Sequence, residues 1–216
     1  MSTGGERLRI ALTKGRLQDK SVELFEAMGL DCSPIREPGR RLVHRIPNYP
    51  LDAVLAKAPD VITYVEHGAC DLGIVGKDTI LEQGKRFYEV LDLGFGRCRF
   101  ALAVKEGSDF YGTYKTRRIA SKYPNVTRSF FEKKGMDVDI IKIEGSVELA
   151  PILDLADAIV DIVETGATLR ENGLIPIEDV ARVSARLIVN TASMKLHKGH
   201  IEDFIARCEA ELESRA

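Results

Sequence analysis

No apolar run in this 216-residue chain approaches the roughly 20 residues a bilayer crossing needs, which excludes a membrane helix. Nor does an apolar stretch follow Met1-Ser2-Thr3-Gly4-Gly5-Glu6. The expectation is a frayed start, no secretory signal and a cytoplasmic protein. Cysteine is sparse: Cys32, Cys70, Cys98 and Cys208 lie far apart with no Cys-x-x-Cys pair. That argues against a disulfide frame or zinc ligands and for reduced thiols. His44, His67, His197 and His200 form no metal spacing with them, and His197 and His200 read as two solvated side chains. Charge of one sign is also lacking: 31 basic residues stand against 33 acidic ones, for a formal charge of −2. Such a chain has no general pull toward nucleic acid or an anionic membrane, so any anion must be bound by local clusters. No convincing nucleophile–base triad is present. What remains is an ordinary globular composition, 44% hydrophobic and 30% charged. The length allows one large domain or two lobes of about 100 residues each.

The most informative stretch is Ala158 to Leu169. Ala158 to Val163 is an apolar, β-branched run that reads as a strand covered on both faces. Asp161 interrupts it where packing alone would favour Val. Glu164-Thr165-Gly166-Ala167-Thr168 follows, then the helix-compatible Leu169-Arg170-Glu171-Asn172. A strand ending in small and hydroxyl residues at a helix start suits an anion, because the first helical N–H groups lack partners. Gly166 lets a ligand approach the backbone, and the Thr165 and Thr168 hydroxyls can donate to phosphate oxygens. Asp161 and Glu164 would repel phosphate and suit the hydroxyls of an attached sugar. Phosphate on amides with ribose on carboxylates describes a phosphoribosyl site. The plainer reading, a helix capped by Thr165, stands beside it, since short motifs have real false-positive rates.

Two further strand–glycine–helix junctions occur. Lys14-Gly15-Arg16 separates a strand, Arg7 to Thr13, from a helix, Leu17 to Met28. Cations at a helix start oppose its dipole, a placement that makes sense if a polyanion lies between them and the amides. Leu72 to Gly76 is a short buried strand, and Lys77-Asp78 opens the next helix. The most basic window, Arg36 to Arg45, holds four arginines and His44 around a Pro38-Gly39 turn. It reads either as a solvated edge hairpin or as a clamp in which Arg40 or Arg41 grips a pyrophosphate bidentately.

The remaining spacing predicts helices over Asp60–Ala69 (capped by Asp60), Asn125–Lys134 (capped by Asn125), Gly145–Leu155 and Met194 to the end (capped by Thr191 or Ser193). Strands are expected over Leu42–Val43, Leu51–Leu55, Tyr88–Phe95, Arg99–Val104, Arg117–Ser121 and Val138–Ile143, with two pieces around Asp179 between Ile175 and Asn190. This alternation predicts an α/β fold of two lobes, each a mixed sheet flanked by helices, with the glycine junctions converging on an interlobe cleft.

Lys14-Gly15-Arg16-Leu17, Tyr64-Val65-Glu66-His67-Gly68-Ala69, Asp71-Leu72-Gly73-Ile74-Val75-Gly76-Lys77-Asp78, Glu148-Leu149-Ala150-Pro151 and Asp161 to Leu169 occur in that order. Together they resemble the ATP phosphoribosyltransferase family, in its short form, over nearly the whole chain. The resemblance implies a type II periplasmic-binding-protein-like fold. One lobe would be residues 1–93 plus 180–216, the other 94–179. It implies the first step of histidine biosynthesis: adenine N1 of ATP displaces pyrophosphate from 5-phosphoribosyl-1-pyrophosphate, with Mg²⁺ held mainly through substrate phosphates. It implies a homodimer core and a regulatory subunit resembling the histidyl-tRNA synthetase catalytic domain, in a hetero-octamer.

Carried onto matching positions, the resemblance assigns the donor to Glu148, Asp161, Glu164, Thr165, Gly166, Ala167, Thr168 and Leu169. It assigns ATP and pyrophosphate to Lys14, Gly15, Arg16, Lys57, Gly76, Lys77 and Asp78, with Arg16 and Arg40 as the catalytic cations. Lys57 stands where the family commonly has arginine, and keeps the charge without the bidentate fork. Two rivals differ in class: a two-lobed solute-binding module without chemistry, and a phosphoribosyltransferase for free nucleobases.

Overall fold

The computed structural model describes residues 7–84, 86–112 and 115–215; the expectations for residues 1–6 lie outside these. Eleven strands and nine helices follow one another among the described residues. The first passage is β1 (Leu8–Thr13), α1 (Arg16–Ala27), α2 (Ser33–Arg36), β2 (Val43–Arg45), β3 (Leu51–Ala56), α3 (Ala58–Glu66), β4 (Leu72–Gly76), α4 (Lys77–Gln83) and β5 (Phe87–Asp92). The second is β6 (Cys98–Lys105), β7 (Arg117–Ser121), α5 (Pro124–Lys133), β8 (Val138–Lys142), α6 (Leu149–Ile152), β9 (Ala158–Val163), α7 (Ala167–Glu171) and β10 (Leu174–Val183). The chain closes with β11 (Ala185–Asn190), α8 (Ser193–Leu196) and α9 (Lys198–Ser214). Two compact units result: residues 1–96 with 184–216, and residues 97–183. Among the described residues no helix is long and apolar enough to cross a membrane.

Unit 1 is a six-stranded mixed sheet in the order β2-β3-β1-β4-β11-β5. Strands β3, β1 and β4 are parallel; β2 and β11 run against their neighbours. Side-chain alternation divides the interior. Ile10, Leu12, Leu72, Ile74, Leu187 and Val189 pack with Phe25 of α1 and Phe204 of α9. Ala11, Val75 and Ile188, one residue out of phase, pack with Val61 and Val65 of α3. Gly73 is demanded by that second layer: a Cβ there would stand 2.8 Å from Val65 Cγ2 and 2.9 Å from Val61 Cγ1.

Unit 2 is a five-stranded mixed sheet in the order β10-β6-β9-β7-β8. Here β8, β7 and β9 are parallel, and β6 and β10 are antiparallel. Strand β9 is central and buried over most of its length, as its apolar run requires.

Several local expectations are corrected. Helix α3 starts at Ala58 with Pro59 in its first turn, and α5 starts at Pro124, so neither Asp60 nor Asn125 is a cap. Proline presets the helical φ and needs no donor there. The helix expected from Gly145 to Leu155 is a single turn, α6. Strand β10 runs through Asp179 unbroken, because bulges at Pro176/Glu178 and Asp179/Ala181 absorb the irregularity; the break falls at Ser184. The C-terminal helix is divided at His197, and Asn190 rather than Thr191 or Ser193 serves its start, accepting from the Ala192 and Ser193 N–H groups at 2.9 Å each. His44 is buried, not solvated, and α2 was not anticipated.

Candidate functional site

In unit 2, β9 hands directly to the glycine turn and α7. Gly166 is the N-cap residue, with φ 73°, the left-handed region where glycine carries no penalty. The Thr165 hydroxyl accepts from the Ala167 N–H at 3.3 Å, so Thr165 supports the turn without being the cap. Arg170, not anticipated as part of the site, donates from Nη1 to the Thr165 carbonyl at 3.2 Å. Leu169 is buried and anchors the helix in the core, while Glu164, Thr165, Ala167 and Thr168 stay exposed.

All eight residues expected to bind the donor line one pocket of about 280 Å³: Glu148, Asp161, Glu164, Thr165, Gly166, Ala167, Thr168 and Leu169. Asp161 shares a sheet face with Ile159 and Val163, and its partner across the sheet is Ala101, whose small side chain leaves it room. Burial pushes the Asp161 carboxyl up to about 6; the Ile162 N–H bond opposes this, nearby Glu148 raises it further and Lys122 lowers it. Lys122 directly follows β7, whose Ser121 pairs with Val160. It is a cation near Asp161 that no motif marked.

In unit 1, the parallel strands β3, β1 and β4 end at one edge of the sheet. Lys57 follows β3, Lys14-Gly15-Arg16 follows β1, and Gly76-Lys77-Asp78 lies at the β4–α4 junction. The edge is stitched by the Lys14 N–H donating to the Ala56 carbonyl at 2.9 Å and the Thr13 hydroxyl donating to the Ile74 carbonyl at 2.9 Å. Strand β2 runs antiparallel to β3, with Val43 opposite Val54, so the loop carrying Arg40 leads into this same edge. Gly15, at φ 88° and ψ −147°, adopts a conformation that a side chain would strain. Lys14, Gly15, Arg16, Arg40 and Lys57 are exposed.

Two basic residues are engaged otherwise. Arg36 forms a fork with Glu26, at 3.0 and 2.7 Å, which holds the Glu26 carboxyl below its ordinary range. The Lys77 ammonium is paired with Glu89, which also faces Arg186. Helix starts and cations along the carboxyl edge of parallel strands have the chemistry that suits an anion, as such edges of open α/β sheets do. Among the described residues no three His, Cys, Asp or Glu side chains are assembled to hold a metal.

Residues 57–210 match the family model described as HisG: ATP phosphoribosyltransferase. The ATP phosphoribosyltransferase of Clostridium kluyveri is 58% identical over 209 residues, covering 97% of this chain and 95% of its own length. Among solved structures, the ATP phosphoribosyl transferase (HisG:HisZ) complex from Thermotoga maritima aligns over 96% of this chain and 99% of the matched one, with TM-score 0.81 and 31% identity. The periplasmic aliphatic sulphonate binding protein SsuA from Escherichia coli shares the fold at TM-score 0.61 and 15% identity, covering 96% of this chain and 72% of that one. The two mixed sheets are thus a type II binding-protein-like fold. With the relatives matched almost end to end, the chain belongs to the ATP phosphoribosyltransferase family, the pentosyltransferases of histidine biosynthesis.

Proposed function

We propose that the unit 2 pocket holds 5-phosphoribosyl-1-pyrophosphate and that the carboxyl edge of the unit 1 sheet holds ATP and the leaving pyrophosphate. The observation that carries this is the assembly of Glu148, Asp161, Glu164 and residues 165–169 around one pocket. The 5-phosphate sits on the Thr165–Leu169 turn. The ribose hydroxyls donate to Asp161 and Glu164, with Glu148 beside them. Lys14, Arg16, Lys57 and Arg40 face the polyphosphates, joined by Gly76, Lys77 and Asp78 on the ATP side. Lys77 must exchange Glu89 for phosphate to take part.

Adenine N1 carries no proton at neutral pH and needs no general base. The chain's task is to align N1 with the anomeric carbon and to stabilise charge growing on pyrophosphate. Arg16 and Arg40 supply fixed positive charge for that purpose. Mg²⁺ fits as an ion carried by substrate phosphates with one or two carboxylates, its usual mode in such sites, and it neutralises phosphate charge when bound.

We further propose a cytoplasmic enzyme with a homodimer core, assembled with a regulatory subunit resembling the histidyl-tRNA synthetase catalytic domain in a hetero-octamer. The match to 99% of one chain of the Thermotoga maritima complex supports the partner, and four free cysteines support the reducing setting. Calorimetric titration of the donor tests the pocket. Thr168→Ala should raise the dissociation constant at least tenfold, and unchanged affinity would sink the assignment. Turnover with and without the regulatory subunit tests the partnership.

A further inference from the structure

The chain passes between its two units at Gly96/Arg97 and at Val183/Ser184. On the unit 1 side, one carboxylate is tied to both passages. Asp92 Oδ1 accepts from the Gly94 N–H at 2.9 Å and from the Ser184 hydroxyl at 2.8 Å. The main chain joins the passages as well: the Leu93 N–H donates to the Ala185 carbonyl at 3.0 Å, and the Ala185 N–H to the Phe95 carbonyl at 2.9 Å. Gly94 and Gly96 sit at φ 71° and 62°, so the first passage has permissive backbone that gains definition from these ties.

The same carboxylate reaches the β4–α4 junction. Asp92 Oδ2 pairs with Arg186 Nη2 at 2.9 Å. Arg186 Nε lies 3.5 Å from Glu89, which in turn holds the Lys77 ammonium. The Ser184 carbonyl accepts the Lys77 N–H at 2.9 Å. Lys77 is therefore joined to the passages through both its side chain and its main chain.

We propose that Asp92 is a positioning residue for phosphoribosyl transfer. This rests on the reading that the donor occupies the unit 2 pocket and ATP the unit 1 edge. Displacement needs the attacking nitrogen within about 3–3.5 Å of the anomeric carbon, and a misplacement of about 1 Å originating far from the chemistry can lose about 10²-fold in rate. The covalent routes from one substrate's unit to the other's are the two passages, and Asp92 ties both to the Lys77 junction. It acts through those segments, not by contact with a reactant.

The test compares Asp92→Ala, Asp92→Asn and Ser184→Ala with the parent chain in turnover, donor calorimetry and thermal melting. Asp92→Ala should lower kcat at least tenfold while the donor dissociation constant stays within twofold, since the donor pocket lies wholly in unit 2. Asp92→Asn keeps an acceptor for Gly94 and Ser184 but loses the charge facing Arg186, and should recover part of kcat. A folded Asp92→Ala with kcat within twofold of the parent overturns the proposal, as does donor affinity falling in step with kcat. Should Asp92→Ala not fold, Asp92→Asn and Ser184→Ala carry the same test. Each should lose at least threefold in kcat at constant donor affinity, and unchanged kcat in both is the overturning result. Failure of the pocket reading shows separately, as unchanged donor affinity in Thr168→Ala.

Discussion

Arg170 bends back over its own loop: its Nη1 donates to the Thr165 carbonyl at 3.2 Å and would lie 3.2 Å from a Cβ placed on Gly166. The turn is thus closed on one side by a guanidinium and open on the other to the pocket. Gly166 is held at φ 73°, where an L side chain costs about 1–2 kcal/mol. Gly166→Val should destabilise by about that amount and raise the donor's dissociation constant at least tenfold. Gly166→Asn, which tolerates this conformation better, should be milder on both. Melting curves and donor calorimetry read the two effects.

Asp161 makes stability and binding depend on pH in opposite senses. Its folded-state value is raised from 3.8 to about 6, chiefly by burial. The stabilisation from the neutral carboxyl is complete below 3.8 and lost as pH rises through about 6. Asp161→Asn should therefore gain stability over the parent across that window and level off above it, by about 2–3 kcal/mol. Donor affinity should move the other way. On the proposed assignment the parent should bind the donor best above about pH 6, where the carboxyl is ionised and can accept from ribose hydroxyls, and the variant should bind weakly at every pH. Urea unfolding and calorimetry from pH 4 to 8 check both; parallel pH curves for the two proteins would contradict the assignment.

Arginines of the first unit should differ in their weight in turnover. Arg36 is spoken for by Glu26 in an exposed fork, and solvent screening leaves such a pair little weight in stability. Arg36→Ala should leave kcat within twofold. Arg16→Ala and Arg40→Ala should each lower kcat by about 10²–10³, the effect of removing one preorganised charge-stabilising donor. Steady-state turnover with saturating ATP and donor separates them, and two near-normal rates would refute the catalytic assignment.

Asn190 is a stability determinant rather than a functional one. Buried at 5% exposure, it donates to the Val65 carbonyl at 2.7 Å and accepts from the Ala192 and Ser193 N–H groups. Asn190→Ala removes one of two donors to the Val65 carbonyl, which keeps the Gly68 N–H at 3.2 Å, and takes the acceptor from two amides, so it should lose about 1–3 kcal/mol. Denaturant melts measure this, with turnover of the folded fraction unchanged.

Much of the fold was legible because it is local. The apolar run of Ala158 to Val163 forms β9 with those bounds, and the glycine junctions after Thr13, at Gly76 and after Val163 each join a strand to a helix. Boundaries failed where a side chain outside the expected cap positions decided them. Asn190, the last residue of β11, accepts from the first N–H groups of α8, the role sought at Thr191 and Ser193. Gly145 to Leu155 carries helical spacing, yet only Leu149–Ile152 coils, since a short helix depends on the surface it packs against more than on propensity. Lys122 and Arg170 sit in no motif; sheet order brings the first near Asp161 and loop closure brings the second onto the Thr165–Gly166 turn.

By itself the sequence determined the order of strands and helices, the strand–glycine–helix turn at residues 163–169, and family membership through five motifs in sequence. Those depend on side-chain periodicity, glycine's freedom and residue identity, all of which act over a few neighbours. Only the tertiary structure decided that Glu148 shares a pocket with Asp161, that Ala101 opposite Asp161 gives the carboxylate room, and that Asp92 gathers both passages between the units. Those relationships depend on which strands become neighbours, and strand pairing is settled by burial across the whole sheet.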